Sequence, residues 1–397
     1  MATQTVLSAT GNQMVAEAYR QADPDVVAAY PITPQTTIVE AFAKCVANGQ
    51  VHTEYVTVES EHSSMAACIG SAQAGARTFT ATSSQGLAYM WEELHIAAGM
   101  RLPIVLANAN RALSVPLNIH CDHSDVLGAR DTGWLIFFAE TAQEAYDNTM
   151  VAIRTAEDHR VLLPVMTTLD GFITTHSMER CELMDDATAK AFLGQRDAVY
   201  PLLDTANPIG AGMFADQNTY FEMHKALRDA VKAATPVIKE IGDEWAGICG
   251  RPFDFVDTFA CDDADYIIVI IGSAAGNARH VARELRKEGV KAGVARIRVF
   301  RPFPADELVS ALQGARAVAV LDRSENFGGQ YAPVGLEVAT ALFNAHVDVP
   351  LKNYVYGLGG HDVTLAQMQQ VYADLALVAA GEKDGGIEYL GNRKRGE

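Results

Sequence analysis

The chain has 397 residues, 49% of them apolar and 20% charged, with 49 acidic against 31 basic residues and a formal net charge of −18. This composition is globular and excludes a disordered or fibrous chain, and the acidic balance excludes a nucleic-acid footprint, since the one basic cluster is Arg393-Lys394-Arg395. No apolar run reaches the roughly 18 to 20 residues of a membrane-spanning helix, and MATQTVLSATGNQ has neither a charged nor an apolar leader, so a cytoplasmic protein with no membrane partner is expected.

Apolar runs alternate with amphipathic segments, the pattern of a parallel sheet flanked by helices. Gly11 to Ala22 reads as a helix, Val26 to Tyr30 as a buried strand stopped by Pro31, and a helix follows from Thr37. Then come a strand at Tyr55 to Glu59, a small-residue helix at Glu61 to Gly75, a strand at Thr78 to Ser83, a helix at Met90 to Met100 and a strand at Pro103 to Ala109. A helix at Ala142 to His159 and a strand at Val161 to Leu169 end at the turn Asp170-Gly171. From Glu179 to Phe255 the apolar strand runs disappear, Pro and Gly punctuate, and the spacing predicts one helix over Tyr220 to Ile241, which reads as a connecting arm. The winding returns with strands at Tyr266 to Ile271, Ala292 to Val299 and Ala317 to Leu321, separated by helices at Asn277 to Glu288 and Ala305 to Gln313. The expected fold is α/β with two doubly wound domains, 1–255 including the arm from about 179, and 256–397.

The cysteines Cys45, Cys68, Cys121, Cys181, Cys249 and Cys261 are scattered without a C-x-x-C pair, which predicts buried apolar thiols rather than an iron-sulfur or zinc site. In doubly wound sheets ligands bind beyond the carboxyl ends of the strands, so the loops there carry the chemistry. Thr33, between Pro31 and Pro34, offers a hydroxyl either to helix amides or to an anion such as a substrate carboxylate. Glu59 and Glu61 precede a helix with almost no bulk; each can favour the helix dipole, and a carboxylate there can also exchange a proton with a ring nitrogen of a tightly approached ligand. Arg111 follows an apolar strand and needs an anion, either a protein carboxylate or a substrate carboxylate held by its fork. His120, Asp122, His123 and Asp125 have metal-ligand types but not the spacing, and read as a polar loop network. Ile271 to Asn277 lacks the full G-x-G-x-x-G of a dinucleotide site, and Ser324 to Gln330 reads as an interdomain turn.

The segments YPITPQT (Tyr30 to Thr36), VESEHSS (Val58 to Ser64), TSSQGL (Thr82 to Leu87), NRALSVPLNIHCDHSD (Asn110 to Asp125), LDGFITTH (Leu169 to His176) and RIRVFRPFP (Arg296 to Pro304) closely resemble those of the alpha subunits of multi-subunit pyruvate:ferredoxin oxidoreductases, over nearly the whole chain. The resemblance implies a pyrimidine-binding domain for thiamine diphosphate and a transketolase C-terminal-like domain. It further implies a beta subunit holding the cofactor diphosphate, Mg2+ and a [4Fe-4S] cluster, and gamma and delta subunits with further clusters. The chain's lack of a G-D-G motif and of cluster cysteines agrees with that division.

Carried over by position, Glu61 resembles the glutamate that pairs with the aminopyrimidine nitrogen, and Pro31, Ile32, Ser84 and Gln85 fall on the cofactor-binding segments. Arg111, Thr33 and Asn118 fall on the substrate-binding segments. The implied reaction is oxidative decarboxylation of a 2-oxoacid, most often pyruvate, with coenzyme A, passing electrons to ferredoxin. An arylglyoxylate or branched-chain substrate, a flavin subunit delivering electrons to NAD, or a free-standing nicotinamide dehydrogenase are the alternatives.

Overall fold

The computed structural model describes residues 3–392, so the basic cluster at Arg393 lies outside the described residues. The strands in chain order are β1 (Gln4–Ala9), β2 (Val26–Ala29), β3 (Glu54–Thr57), β4 (Thr78–Thr82), β5 (Ile104–Asn110), β6 (Leu135–Phe138), β7 (Val165–Asp170) and β8 (Glu179–Met184). They continue with β9 (Val256–Phe259), β10 (Tyr266–Ile270), β11 (Ala292–Ile297), β12 (Val299–Arg301), β13 (Ala317–Asp322), β14 (Leu351–Val355) and β15 (Ile387–Tyr389).

The larger sheet has the order β12-β6-β7-β5-β4-β2-β3, parallel apart from β12. Its central strands β4 and β5 are buried along their whole length, as expected of strands covered by helices on both faces. The second sheet has the order β15-β14-β13-β10-β11-β9, parallel apart from β9. Two doubly wound α/β units are therefore present. One apolar cluster runs continuously between them, joining Ile136, Phe138 and Met166 of the larger sheet to Ile267, Val269 and Val320 of the other.

The sequence expectations stop at Leu321 and omit β6, β9, β14 and β15, and three further departures reshape the expected elements. The arm is not free of strands: β8 pairs antiparallel with β1, turning Cys181 and Met184 inward, and its charged outward residues conceal an edge strand from an apolar-run criterion. The helix in the arm runs over Gln217–Cys249 rather than stopping at Ile241, because Trp245 and Cys249 continue the buried stripe until Gly250, whose φ of 78° ends it. The single strand expected over Ala292 to Val299 divides, and β12 crosses back to pair with β6 of the larger sheet. The chain after residue 256 thus supplies an edge of the first sheet as well as the whole of the second.

Candidate active site

From β2 the chain winds to β3 on one side, then returns through the helix Glu61–Gln73 to β4 on the other side of β2. The winding direction reverses there, and such a switch point opens a ligand crevice at the carboxyl ends of the strands. Thr33 follows β2, Glu61 follows β3, Ser84 and Gln85 follow β4, and Arg111 follows β5. The sequence-predicted residues therefore come from four strands that are consecutive across the sheet.

Ser60 caps the helix through its Oγ, which accepts the Ser63 N–H at 3.2 Å, and this fixes Glu61 in the first turn. Glu61 is 8% exposed. The β4 loop closes on its carboxylate: a Cβ at Gly86 would fall 2.8 Å from Glu61 Oε1 and nearer still to Thr82 Oγ1, so only glycine permits the approach. Thr82 Oγ1 is itself buried with no hydrogen-bond partner among the described residues. Ser84 takes a left-handed φ of 51°, a costly conformation for a residue with a side chain, and donates from Oγ to Ala112 O or to Gln85 Oε1, each at 2.6 Å. Pro31 is exposed and Ile32 half-buried; the Ile32 carbonyl accepts the Gln35 and Thr36 N–H groups at 2.8 and 3.1 Å, so the turn is held by its own backbone.

Arg111 is 7% exposed. Its Nη1 donates to Thr33 O at 2.9 Å and its Nε to Asn118 O at 3.1 Å, and among the described residues no carboxylate forms an ion pair with it. Burial pushes its pKa below the ordinary arginine value, with only Asp125 opposing, so an anion that joined it would relieve a desolvated cation. Thr33 and Arg111 are thus brought together, but through the Thr33 carbonyl, while the Thr33 side chain lies at the exposed rim. Asn118 is brought there only by its carbonyl. Its side-chain amide donates to Gly359 O at 2.9 Å, in the turn after β14, and so ties the loop to the second unit.

The switch point of the second sheet, between β10 and β13, is filled by the chain itself. Asp170, at the end of β7, accepts from Ser273 N at 3.0 Å, Ser273 Oγ at 2.6 Å, Arg323 Nη1 at 3.2 Å and His123 Nε2 at 2.7 Å. Burial alone would raise its pKa, but His123 and Arg323 hold the carboxyl far below the usual range. Gly272, at φ 74°, is the close-approach residue, since a Cβ would sit 2.9 Å from Asp170 Oδ2. The incomplete glycine motif is therefore an interdomain contact. Sequence reasoning passed over Asp170 as a turn residue; its position at the end of a fully buried strand was the available signal.

His123 and Asp170 group with Cys121 in a possible metal-ligand set, yet Asp170 is already saturated by the latch, and Asp122 and Asp125 accept backbone N–H groups, as expected of a polar network. Arg323, not the loop Ser324 to Gln330, reaches the first unit, through Asp170. That loop folds on its own unit through Asn326 Nδ2 to Tyr331 O at 3.0 Å, with Phe327 exposed. All six cysteines are buried and unpaired.

The profile of the family described as pyruvate flavodoxin/ferredoxin oxidoreductase, thiamine diphosphate-binding, matches residues 17–243, and that of the pyruvate:ferredoxin oxidoreductase core domain II matches residues 264–368. The chain belongs to the pyruvate:ferredoxin oxidoreductase family. Within this oxidoreductase family it is 48% identical to pyruvate synthase subunit PorA of Thermotoga maritima, over 93% of this chain and 94% of the relative. It is 42% identical to ketoisovalerate oxidoreductase subunit VorA of Pyrococcus horikoshii, over 96% of each. The fold resembles that of a 2-oxoglutarate:ferredoxin oxidoreductase from Magnetococcus marinus, with a TM-score of 0.73 at 19% identity over 93% of this chain and 65% of that one, just under two thirds of its length. A split-gene transketolase shares the fold at a TM-score of 0.56 and 14% identity, over 93% of this chain and 99% of that one. Among the described residues no helix is long and apolar enough to cross a membrane.

Proposed function

We propose that the chain is the alpha-type subunit of a cytoplasmic, coenzyme A-acylating 2-oxoacid:ferredoxin oxidoreductase acting on pyruvate. The observation that carries this reading is a buried carboxylate, Glu61 after β3, in the same row of loops as the desolvated guanidinium of Arg111, which follows β5 three strands along and pairs with no carboxylate among the described residues. A mere scaffold has no use for both.

The residues at the crevice fit the pyrimidine of thiamine diphosphate: a glycine where a Cβ would fill the approach to Glu61, and a buried threonine hydroxyl awaiting a partner. When bound, the cofactor supplies a nucleophilic carbon and an electron sink for decarboxylation. Glu61 Oε1 holds and returns the proton at the pyrimidine ring nitrogen. Arg111 binds the 2-oxoacid carboxylate with its remaining N–H groups, and the Thr33 hydroxyl at the rim orients the keto group. The diphosphate, Mg2+ and [4Fe-4S] clusters belong, in this reading, to beta, gamma and delta partners, which deliver electrons to ferredoxin.

A relative named for ketoisovalerate at 42% identity supports a branched-chain substrate as the second reading. The test is to isolate the chain with its partners and assay pyruvate, 2-oxoisovalerate and phenylglyoxylate with coenzyme A. Coloured, cluster-bearing partners, pyruvate turnover and negligible activity of the isolated chain are expected. An active, colourless monomer contradicts the reading.

A further inference from the structure

Asp125 is 3% exposed, and no cation among the described residues forms an ion pair with it. Its carboxylate is satisfied instead by four neutral donors. Oδ2 accepts Ser84 N–H at 3.0 Å, Asn108 Nδ2 at 3.0 Å and Arg111 N–H at 3.1 Å, while Oδ1 accepts Val126 N–H at 2.7 Å. Ser84 and Arg111 lie just beyond the ends of β4 and β5, so one oxygen fastens two adjacent strand-end loops to a single point.

A buried charge without a counter-ion is expensive, and burial raises its pKa to about 6 against the effect of these N–H bonds. A carboxylate nevertheless does what an amide cannot, because both of its oxygens only accept. Asn at this position would turn an N–H toward Val126 N–H or toward the three donors at Oδ2. The left-handed backbone of Ser84 is a second reason for a strong fastening, since such a conformation persists only where its surroundings over-determine it.

We propose that Asp125 is a positioning residue of the site: by anchoring the Ser84 and Arg111 backbones to one carboxylate oxygen, it aims the Arg111 guanidinium, already held by Thr33 O and Asn118 O, at the 2-oxoacid carboxylate. The proposal rests on the functional reading above and adds to it which group sets the Arg111 geometry.

The test is a double-mutant cycle in the enzyme assembled with its partner subunits, using Asp125→Asn, Arg111→Ala and the pair, with pyruvate kcat and KM measured separately. Asp125→Asn is expected to lower kcat/KM about tenfold or more, chiefly through KM, and to add less than about threefold once Arg111 is Ala. Multiplicative effects in the double variant, or a loss confined to kcat, overturn the proposal, because a general structural defect does not depend on the residue at 111. If Asp125→Asn does not assemble, Asn108→Ala removes one donor to the same oxygen without changing charge. A KM raised about threefold supports the proposal, and an unchanged KM refutes it. Wild-type enzyme that turns over none of the 2-oxoacids brings down the functional reading, and the proposal with it. Normal wild-type turnover with multiplicative variants brings down the positioning role alone.

Discussion

Arg111→Ala is the perturbation whose size the structure fixes best. The guanidinium is nearly buried, keeps two of its N–H groups on the Thr33 and Asn118 carbonyls, and among the described residues pairs with no carboxylate. The remaining fork faces a partly desolvated site, where loss of a charge-assisted contact to a carboxylate costs about 2 to 5 kcal/mol. That corresponds to a fall in kcat/KM of roughly 30-fold to 5,000-fold. Arg111→Lys keeps the charge, but one ammonium does not reproduce the planar fork, so an intermediate defect is expected. Thr33→Ala leaves the Thr33 carbonyl that accepts from Arg111 in place and removes only a neutral hydroxyl, costing about 0.5 to 1.5 kcal/mol. The assay is kcat/KM for pyruvate in the assembled enzyme, alongside thiamine diphosphate affinity. If Arg111→Ala weakens cofactor binding yet leaves substrate use unchanged at saturating cofactor, the substrate role is wrong.

Asp170→Ala strands the buried Arg323 and undoes the latch between the two sheets, so about 3 to 5 kcal/mol of stability should be lost; an unchanged chemical-unfolding midpoint refutes this. Because the Asp170 pKa is depressed on folding, its contribution is fully present above about pH 4 and is lost on acidification below the unfolded value. Asp125 has the opposite sign. Its folded value of about 6 lies above the unfolded value of about 3.9, so the folded chain holds an extra proton between them and ionisation lowers stability as pH rises through that window. The stability of wild type relative to Asp125→Asn should therefore fall by on the order of 2 to 3 kcal/mol from pH 4 to pH 6. A difference that does not vary with pH contradicts the assignment.

The sheet that carries the site was legible because parallel strands buried on both faces read as apolar runs, as in residues 104–107 of β5. The helix over Gly11–Ala22 was legible too, and the structure closes its start with a capping box between Thr10 and Gln13. β1 and β8 were not, since of this antiparallel pair only Ala9, Cys181 and Met184 are buried, too few to make an apolar run. Glu61 stood out as a carboxylate at the start of a small-residue helix, although β3 before it is a partly exposed edge strand with no buried residue, and Thr33 and Arg111 stood out as polar residues in the loops after buried strands. Asp170 obeys the same rule but was hidden by the Gly171 beside it, which suggested only a turn. Its partners Ser273 and Arg323 lie more than 100 residues away in the chain, and no local pattern relates them. Asp125 was visible as a polar residue in a loop, whereas its hold on Ser84 and Arg111 depends on the adjacency of β4 and β5 in the sheet.

Glu61→Gln in the fully assembled enzyme asks whether this carboxylate carries the pyrimidine proton. The amide is nearly the same size and keeps the packing against Gly86, but it cannot carry the proton at the pyrimidine nitrogen. The complex should assemble with its full complement of partner chains, and pyruvate oxidation should fall by about 100-fold or more. Near-normal turnover in an intact Glu61→Gln complex would contradict the account.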